Sequence, residues 1–285
     1  MSKCFVCAGY VTYNPDIDLL KRSITAIIEQ VNYIVIIDNG SVNRIVIEEL
    51  RHLSSNIHII FNESNNGVAV ALNQIGRYAE QMGCKWFLTL DQDSVCPPNM
   101  VSVYSEYLHI PKVGLICPVI LQRIKLNAPV NLSNTFDYIQ VAITSGSLVR
   151  TTSWKDVGGF WNDLFIDRVD DDFCLALRDK QWKILQTNRV ALEHQIGNPS
   201  LHTFMGLKFY TDSYPAFRYY YIARNTIVVC NYYKNLPYNK YKLLLKRFFK
   251  ILFGESNKYA KLKAFTCGCV DGVKMLNRGL YRKGI

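Results

Sequence analysis

Two groups of aspartates have the type and spacing to do chemistry. Asp91 and Asp93 sit one residue apart, directly after the apolar run Trp86-Phe87-Leu88-Thr89-Leu90. Two carboxylates about 4 Å apart repel by roughly 1 to 4 kcal/mol, depending on the local dielectric. Such a pair is normally tied to a cation, or one member stays protonated. Hard oxygen ligands in low number, with positions left open for phosphate oxygens, suit Mg2+ or Mn2+. The second group is Asp167, Asp170, Asp171 and Asp172, which opens an apparent helix from Phe173 to Gln181. Acidic residues favour helix N-termini through the macrodipole, but these exceed what one helix end needs. A carboxylate turned into a cleft there could act as general base toward a hydroxyl, a role worth roughly 10² to 10⁴ in rate. His194, after the apparent strand Arg189–Leu192, is either structural or a third ligand to the same ion.

These residues need elements to hold them. Cys4–Thr12, Tyr33–Asp38, Ile57–Asn62, Trp86–Leu90 and Val113–Pro118 are short apolar runs rich in β-branched and aromatic residues, and predict strands. Between them, Ile17, Leu20, Ile24, Ile27 and Ile28 repeat with a helical period behind Asn14-Pro15 as cap and first turn. Val68, Ala71, Leu72, Ile75, Ala79 and Met82 do the same, with Asn66 before them and Gly83 as the stop. Strands alternating with helices predict an α/β fold, a mostly parallel sheet covered on both faces. Ligands of such sheets bind beyond the carboxyl ends of the strands. Those ends are polar: Thr12-Tyr13-Asn14, Asp38-Asn39-Gly40-Ser41, Asn62 to Gly67, and Asp91-Gln92-Asp93-Ser94. Together on one edge they predict a polar ligand site. Ser145-Gly146-Ser147 reads as a strand whose backbone closely approaches that ligand. No G-x-G-x-x-G follows the first strand and no G-x-x-x-x-G-K-[ST] occurs, which excludes dinucleotide dehydrogenases and P-loop NTPases.

Composition narrows the class. With 49% hydrophobic and 20% charged residues among 285, the chain can bury an ordinary core. No run of 18 residues lacks Asp, Glu, Lys and Arg, so no spanning helix is expected. The N-terminus lacks the order of regions of a signal peptide. Nine cysteines without framework spacing fit reduced thiols in a cytosolic protein. The net charge of +10 is uneven: from Lys234 onward 13 basic residues face 2 acidic ones. A near-neutral body with a basic tail suits an enzyme resting on an anionic surface better than a nucleic-acid binder.

Nine motifs follow in order from residue 5 to about residue 235. They are Val11-Thr12-Tyr13-Asn14-Pro15, Ile37 to Ser41, Asn65 to Gln74, Leu90-Asp91-Gln92-Asp93-Ser94, Thr144 to Ser147, and Val157-Gly158-Gly159-Phe160. The acidic segment 165–175, Glu193-His194-Gln195-Ile196-Gly197 and Tyr220 to Asn225 complete them. In these the sequence resembles family 2 glycosyltransferases with the GT-A fold, and within them bacterial rhamnosyltransferases of cell-surface polysaccharide synthesis. The resemblance implies a GT-A, Rossmann-like, mostly parallel sheet and a C-terminal helical extension. It implies metal-dependent, inverting transfer from a nucleotide-sugar donor, dTDP-L-rhamnose, to a saccharide acceptor that is lipid-linked. Thr12, Tyr13 and Asp38 would hold the nucleobase, with Asn66 and Asn73 nearby, and Asn14, Gln92 and Gly146 would complete the donor site. Asp91 and Asp93 would contact the ribose and the Mg2+ or Mn2+ ion, with His194 as a further metal ligand. Asp170 would be the base, with Asp171 or Asp172 as alternatives because the acidic motif departs from the family pattern there. Arg224 would neutralise the departing diphosphate.

In the tail, Tyr241, Leu244, Leu245, Phe248, Ile251 and Leu252 fall on one arc of a helix over about 240–253, with Lys242, Lys246, Arg247 and Lys250 on the other. This predicts a helix lying on an anionic membrane surface through 240–263, and a peripheral protein on the cytoplasmic face of the plasma membrane. The competing reading is a core-packed helix with its basic face in water. The expected organisation is a donor-binding and catalytic domain over 1–205 and a basic acceptor- or membrane-associating region over 206–285. Two other functions stay open: the same fold with another donor such as a UDP-hexose, and a non-catalytic nucleotide-sugar-binding or membrane-binding subunit.

Overall fold

Three apolar runs near the N-terminus, Val6–Thr12, Tyr33–Asp38 and Trp86–Asp91, are buried on both faces, and that burial sets the centre of the fold. A computed structural model describes residues 5–122, 132–194, 199–204, 206–234, 236, 238–279 and 282. Strands β1 (Val6–Thr12), β2 (Tyr33–Asp38), β3 (Ile57–Phe61) and β4 (Trp86–Asp91) pair in parallel, in the order β3-β2-β1-β4. Helices α1 (Ile17–Ile27), α2 (Arg44–Glu48) and α3 (Val68–Gln81) connect them. After α4 (Met100–Ser105) come β5 (Val113–Gln122), β6 (Phe136–Ile139), β7 (Ser147–Arg150), α5 (Thr151–Asp156), α6 (Val169–Asp179) and β8 (Lys183–His194). They extend the sheet to eight strands as β4-β7-β5-β8-β6, with β7 and β6 antiparallel to their neighbours. The expected mostly parallel α/β sheet is therefore present. β5 runs past Pro118, where the sequence pattern ends it, because a register shift between Cys117 and Val119 absorbs the missing amide donor.

Alternate residues of each strand feed two cores. Val6, Ala8 and Tyr10 pack with α1 and α4, while Cys7, Phe87 and Val149 pack with α3, α5 and α6. Of the cysteines described, Cys7, Cys84, Cys96, Cys117, Cys174 and Cys230 are buried and outside any disulfide, and burial raises the Cys7 pKa. Two helix caps differ from expectation. α1 is capped by Asp16, whose carboxylate accepts from the Leu19 amide, while Asn14 (φ 47°) spends its side chain on the Val42 amide. α3 is entered through Gly67 rather than Asn66. Gly67 sits at φ 87°, and a Cβ there would lie 2.6 Å from the Phe165 ring and carbonyl, so the α3 end meets the acidic segment without a side chain between them.

A hairpin, β9 (Ser200–Phe204) with β10 (Leu207–Thr211), precedes α7 (Ala216–Tyr232), α8 (Lys240–Gly254) and α9 (Lys258–Asn277). The boundary expected at 205/206 thus falls inside a hairpin. α7 belongs to the body: Val228, Val229 and Tyr233 join the core beneath α6. α8 splits the expected apolar arc. Only Ile251 is buried, Leu244 packs beside it, and Tyr241, Leu245, Phe248, Phe249 and Phe253 are exposed, Tyr241 by 71% and Leu245 by 57%. Among the described residues no helix is long and apolar enough to cross a membrane.

Candidate active site

The parallel register brings the polar strand ends together, pairing Thr12 with Asp38 and Val11 with Asp91. They form one wall of a cleft of about 660 Å³, lined by Val11, Tyr13, Asn39, Asn65, Asp91, Gln92 and Asp93. The facing wall is the segment 165–171 with Tyr214, Phe217, Arg218 and Ile222 around α7, and Arg247 of α8.

On the strand side, the Tyr13 amide donates to Gln92 Oε1 at 2.9 Å, joining the ends of β1 and β4. Asp38 lies just behind the wall, fully buried. It accepts from the Thr12 hydroxyl at 3.2 Å, the Ser41 amide at 3.0 Å and the Ser41 hydroxyl, with Arg44 at 3.8 Å. Asn66 is an exposed turn residue whose amide donates to Asn39 Oδ1. Asn39 and Asn65, bonded to each other at 3.0 Å, line the cleft beside it.

The turn carrying the paired aspartates is pinned from below. Ser145 Oγ accepts from the Asp91 amide at 3.2 Å and lies 2.7 Å from Ser94 Oγ. Asp91 is half-buried and Asp93 exposed, both on the cleft wall. Among the described residues no group of three His, Cys, Asp or Glu stands close enough to hold a metal ion. Two hard carboxylates beside an open cleft nonetheless fit Mg2+ or Mn2+, which take few protein ligands and complete their shell with phosphate oxygens and water. His194 ends β8, and its side chain lies outside the described residues.

Three neighbouring carboxylates at the start of α6 have three different surroundings. Asp172 is fully buried, bonded to Tyr233 Oη at 2.8 Å and to Arg282 Nε at 3.0 Å. Burial raises its pKa against the pull of Arg282 and Tyr233. Asp171 pairs with Arg168 at 3.0 Å. Asp170 is half-buried in the cleft and accepts from the Asp171 amide at 3.0 Å. Desolvation first, then the neighbouring Asp171 charge, pushes Asp170 up to about 7. A cleft carboxyl with that proton affinity is suited to general base work near neutral pH. Asp172 is shut off from the cleft by burial and held by its arginine.

The backbone ahead of α6 is strained. Phe165, Asp167 and Arg168 all adopt φ of 64–65°, a region costly for side-chain-bearing residues. α7 holds it there. The amide nitrogen of buried Asn225 lies 2.8–2.9 Å from the carbonyls of Leu164, Ile166 and Asp167. Arg218 grips Asp167 through two bonds of 2.6 and 3.3 Å, and the Phe165 ring stacks on Tyr221 at 4.8 Å.

Three expected donor residues are placed elsewhere. Arg224 donates to the carbonyls of Asp163 and Leu164 at 2.6 and 3.1 Å and does not line the cleft, because those carbonyls need a donor where the chain turns. Asn73 is fully buried, with its amide bonded to the Phe160 carbonyl, the Phe160 amide, Asn162 and Trp154, so no polar atom is left for a ligand. Gly146 does meet a close neighbour, but an apolar one: a Cβ there would lie 2.7 Å from Leu192 and 3.1 Å from Met100. The sequence gives no cleft role to Arg168 and Arg218 and reads Arg247 as part of a membrane-facing basic arc, yet all three line the cleft. Arg218 and Arg247 meet their carboxylates across 51 and 35 residues, so no local pattern marks them.

Comparison with known proteins agrees with this geometry. A sequence profile described as "Glycosyl transferase family 2" matches residues 9–160, more than half of the chain. The chain is 27% identical over 294 residues to dTDP-rhamnosyl transferase RfbF of Shigella flexneri, covering 96% of this chain and 97% of that protein. Similar solved structures include GalNAc-T7 with UDP, GalNAc and Mn2+, at TM-score 0.62 and 11% identity over 97% of this chain, which spans only 58% of that one. They also include the mannosyltransferase PcManGT of Pyrobaculum calidifontis with GDP-Man and Mn2+, at TM-score 0.59 and 15% identity, covering 97% and 81%. TarS 1–349 of S. aureus with UDP follows at TM-score 0.55 and 14% identity, covering 88% and 72%. The fold they share is GT-A.

Proposed function

The chain belongs to glycosyl transferase family 2, and we propose that it carries out metal-dependent, inverting transfer of L-rhamnose from dTDP-L-rhamnose to a lipid-linked saccharide. The observation that carries the mechanism is Asp170, a cleft carboxyl pushed up to about 7 by desolvation, facing the Asp91–Asp93 edge. The choice of rhamnose rests on the likeness to RfbF.

In this reading the strand edge binds the donor: Tyr13, Asn39 and Asn65 border the base and ribose, with Thr12 and Asp38 shaping the wall behind. Asp91 and Asp93 hold a divalent ion, which supplies charge stabilisation for the diphosphate. Arg218, Arg168 and Arg247, each paired with a carboxylate, bring guanidinium N–H groups to the facing wall, the place first read for Arg224. Asp170 takes the proton of the acceptor hydroxyl as its oxygen attacks the anomeric carbon, opposite the leaving diphosphate, in a single displacement. Residues 1–205 supply the donor-binding edge and the base, and residues 206–285 add cations to the cleft, acceptor contacts and a peripheral membrane contact. The exposed Tyr241, Leu245, Phe248, Phe249 and Phe253 support that contact, since large apolar side chains gathered on one helix mark an interaction surface.

The test is nucleoside diphosphate release from a panel of nucleotide sugars with Mn2+ and a membrane extract as acceptor. dTDP-L-rhamnose should give the largest kcat/KM. A preference for a UDP-hexose, which UDP in two of the structural neighbours favours as second reading, would reassign the donor. Absence of turnover with every donor would leave a binding subunit.

A further inference from the structure

A second cavity, of about 160 Å³, lies between α7 and α8. It shares Arg168, Ile222 and Arg247 with the wall of the catalytic cleft, and Thr226, Lys246 and Lys250 complete its polar lining. None of the strand-end residues of the donor side borders it. Asp171 answers Arg168 and Asp212 answers Arg247, which leaves both lysine charges in surplus. Burial holds the Lys250 ammonium below its ordinary pKa, with Arg247 and Lys246 adding to this against the opposing pull of Asp212 and Glu255. Gathered cations in a half-enclosed space repel one another, and an anion relieves that repulsion. By liquid volume the space holds about five waters, room for a phosphate or diphosphate but not for a nucleotide. Guanidinium forks and flexible ammonium groups are the side chains that bind such anions.

We propose that this cavity is an anion subsite for the phosphate or diphosphate group that joins the acceptor saccharide to its lipid. The inference rests on the lipid-linked acceptor proposed above and specifies how it is recognised. Its geometry is consistent: the cavity opens beside Asp170's cleft, and α8 carries its exposed apolar residues on another side of the helix. A sugar on the diphosphate would reach toward Asp170 while the hydrocarbon leaves along α8.

The experiment is calorimetric titration of the full chain with inorganic pyrophosphate, farnesyl diphosphate and farnesol. EDTA keeps any divalent ion from bridging the ligands to Asp91 and Asp93. Both diphosphates should bind and farnesol should not. The double substitution Lys246→Gln/Lys250→Gln should weaken both diphosphates about tenfold or more. Lys242→Gln/Lys258→Gln removes the same charge outside the cavity and should change neither. Equal affinity for wild type and Lys246→Gln/Lys250→Gln overturns the proposal, as does an equal loss in the control pair. Sedimentation with phosphatidylcholine vesicles, with and without phosphatidylglycerol, separates the sources: a loss confined to phosphatidylglycerol vesicles assigns the cations to membrane headgroups and also overturns it. Failure of the wild type to turn over any donor would count against the proposed reaction, and the pyrophosphate titration would still decide the anion site.

Discussion

The end of β4 and the first turn of α6 face each other across one cleft and carry the same residue type, yet they are built in opposite ways. Asp91, half-buried, and Asp93, exposed, stand on a turn formed by adjacent residues, with Ser145 bracing it from beneath. Asp170 stands beyond a strained backbone held by Asn225 and Arg218 from a helix some fifty residues later. A pair that reaches water is suited to exchange a hydrated ion, while a desolvated single carboxyl is suited to hold one proton near neutrality. Environment, not residue type, divides the work.

The largest expected effect cuts this division at its base. Asp170→Asn should lower kcat by roughly 10² to 10⁴ while donor binding by calorimetry persists. Retained activity would move the base elsewhere. The same group sets the pH response. Its carboxyl must be ionised to act, so kcat/KM should fall about tenfold per unit below pH 7. Stability should move the other way. The folded pKa of about 7 lies above the unfolded 3.8, so the folded state holds this proton more tightly, and stability is lost as pH rises from about 4 through 7. Asp170→Asn should flatten that slope in thermal melts.

The clamp comes next. Asn225→Ala leaves three carbonyls without their donor and should cost about 3 kcal/mol in denaturant titrations and roughly 100-fold in kcat. An unchanged kcat would show that α6 keeps its geometry without α7. On the open side, Asp93→Asn should raise the Mn2+ concentration for half-maximal activity about tenfold and leave melting within about 0.5 kcal/mol. The smallest effect is Arg224→Gln, expected to cost about 1 kcal/mol of stability while donor KM stays put. A large rise in donor KM would return Arg224 to the diphosphate.

The same contrast explains what could be read from residues alone. The parallel sheet, its polar edge and the Asp91–Asp93 pair follow from periodicity and strand-end position, which are local. Asp170 was reached through motif resemblance, but its distinction from Asp172 needed Tyr233 and Arg282, 61 and 110 residues away. Asn73, Gly146 and Arg224 share one feature that the motifs do not reveal: each spends its polar atoms, or its missing side chain, on packing within the chain. On α8 periodicity marked the apolar arc but not which of its residues meet the body. That choice was made by Ile251 and Leu244 packing beside α7 and α9.

The ridge of Tyr241, Leu245, Phe248, Phe249 and Phe253 also has a bearing on bench practice. Purified in plain buffer, such a helix offers grease to plastic, resin and other copies alike. Mild detergent or added liposomes would then seem to switch the catalyst on when they merely rescue it from sticking, and turnover logged without them would understate its capacity.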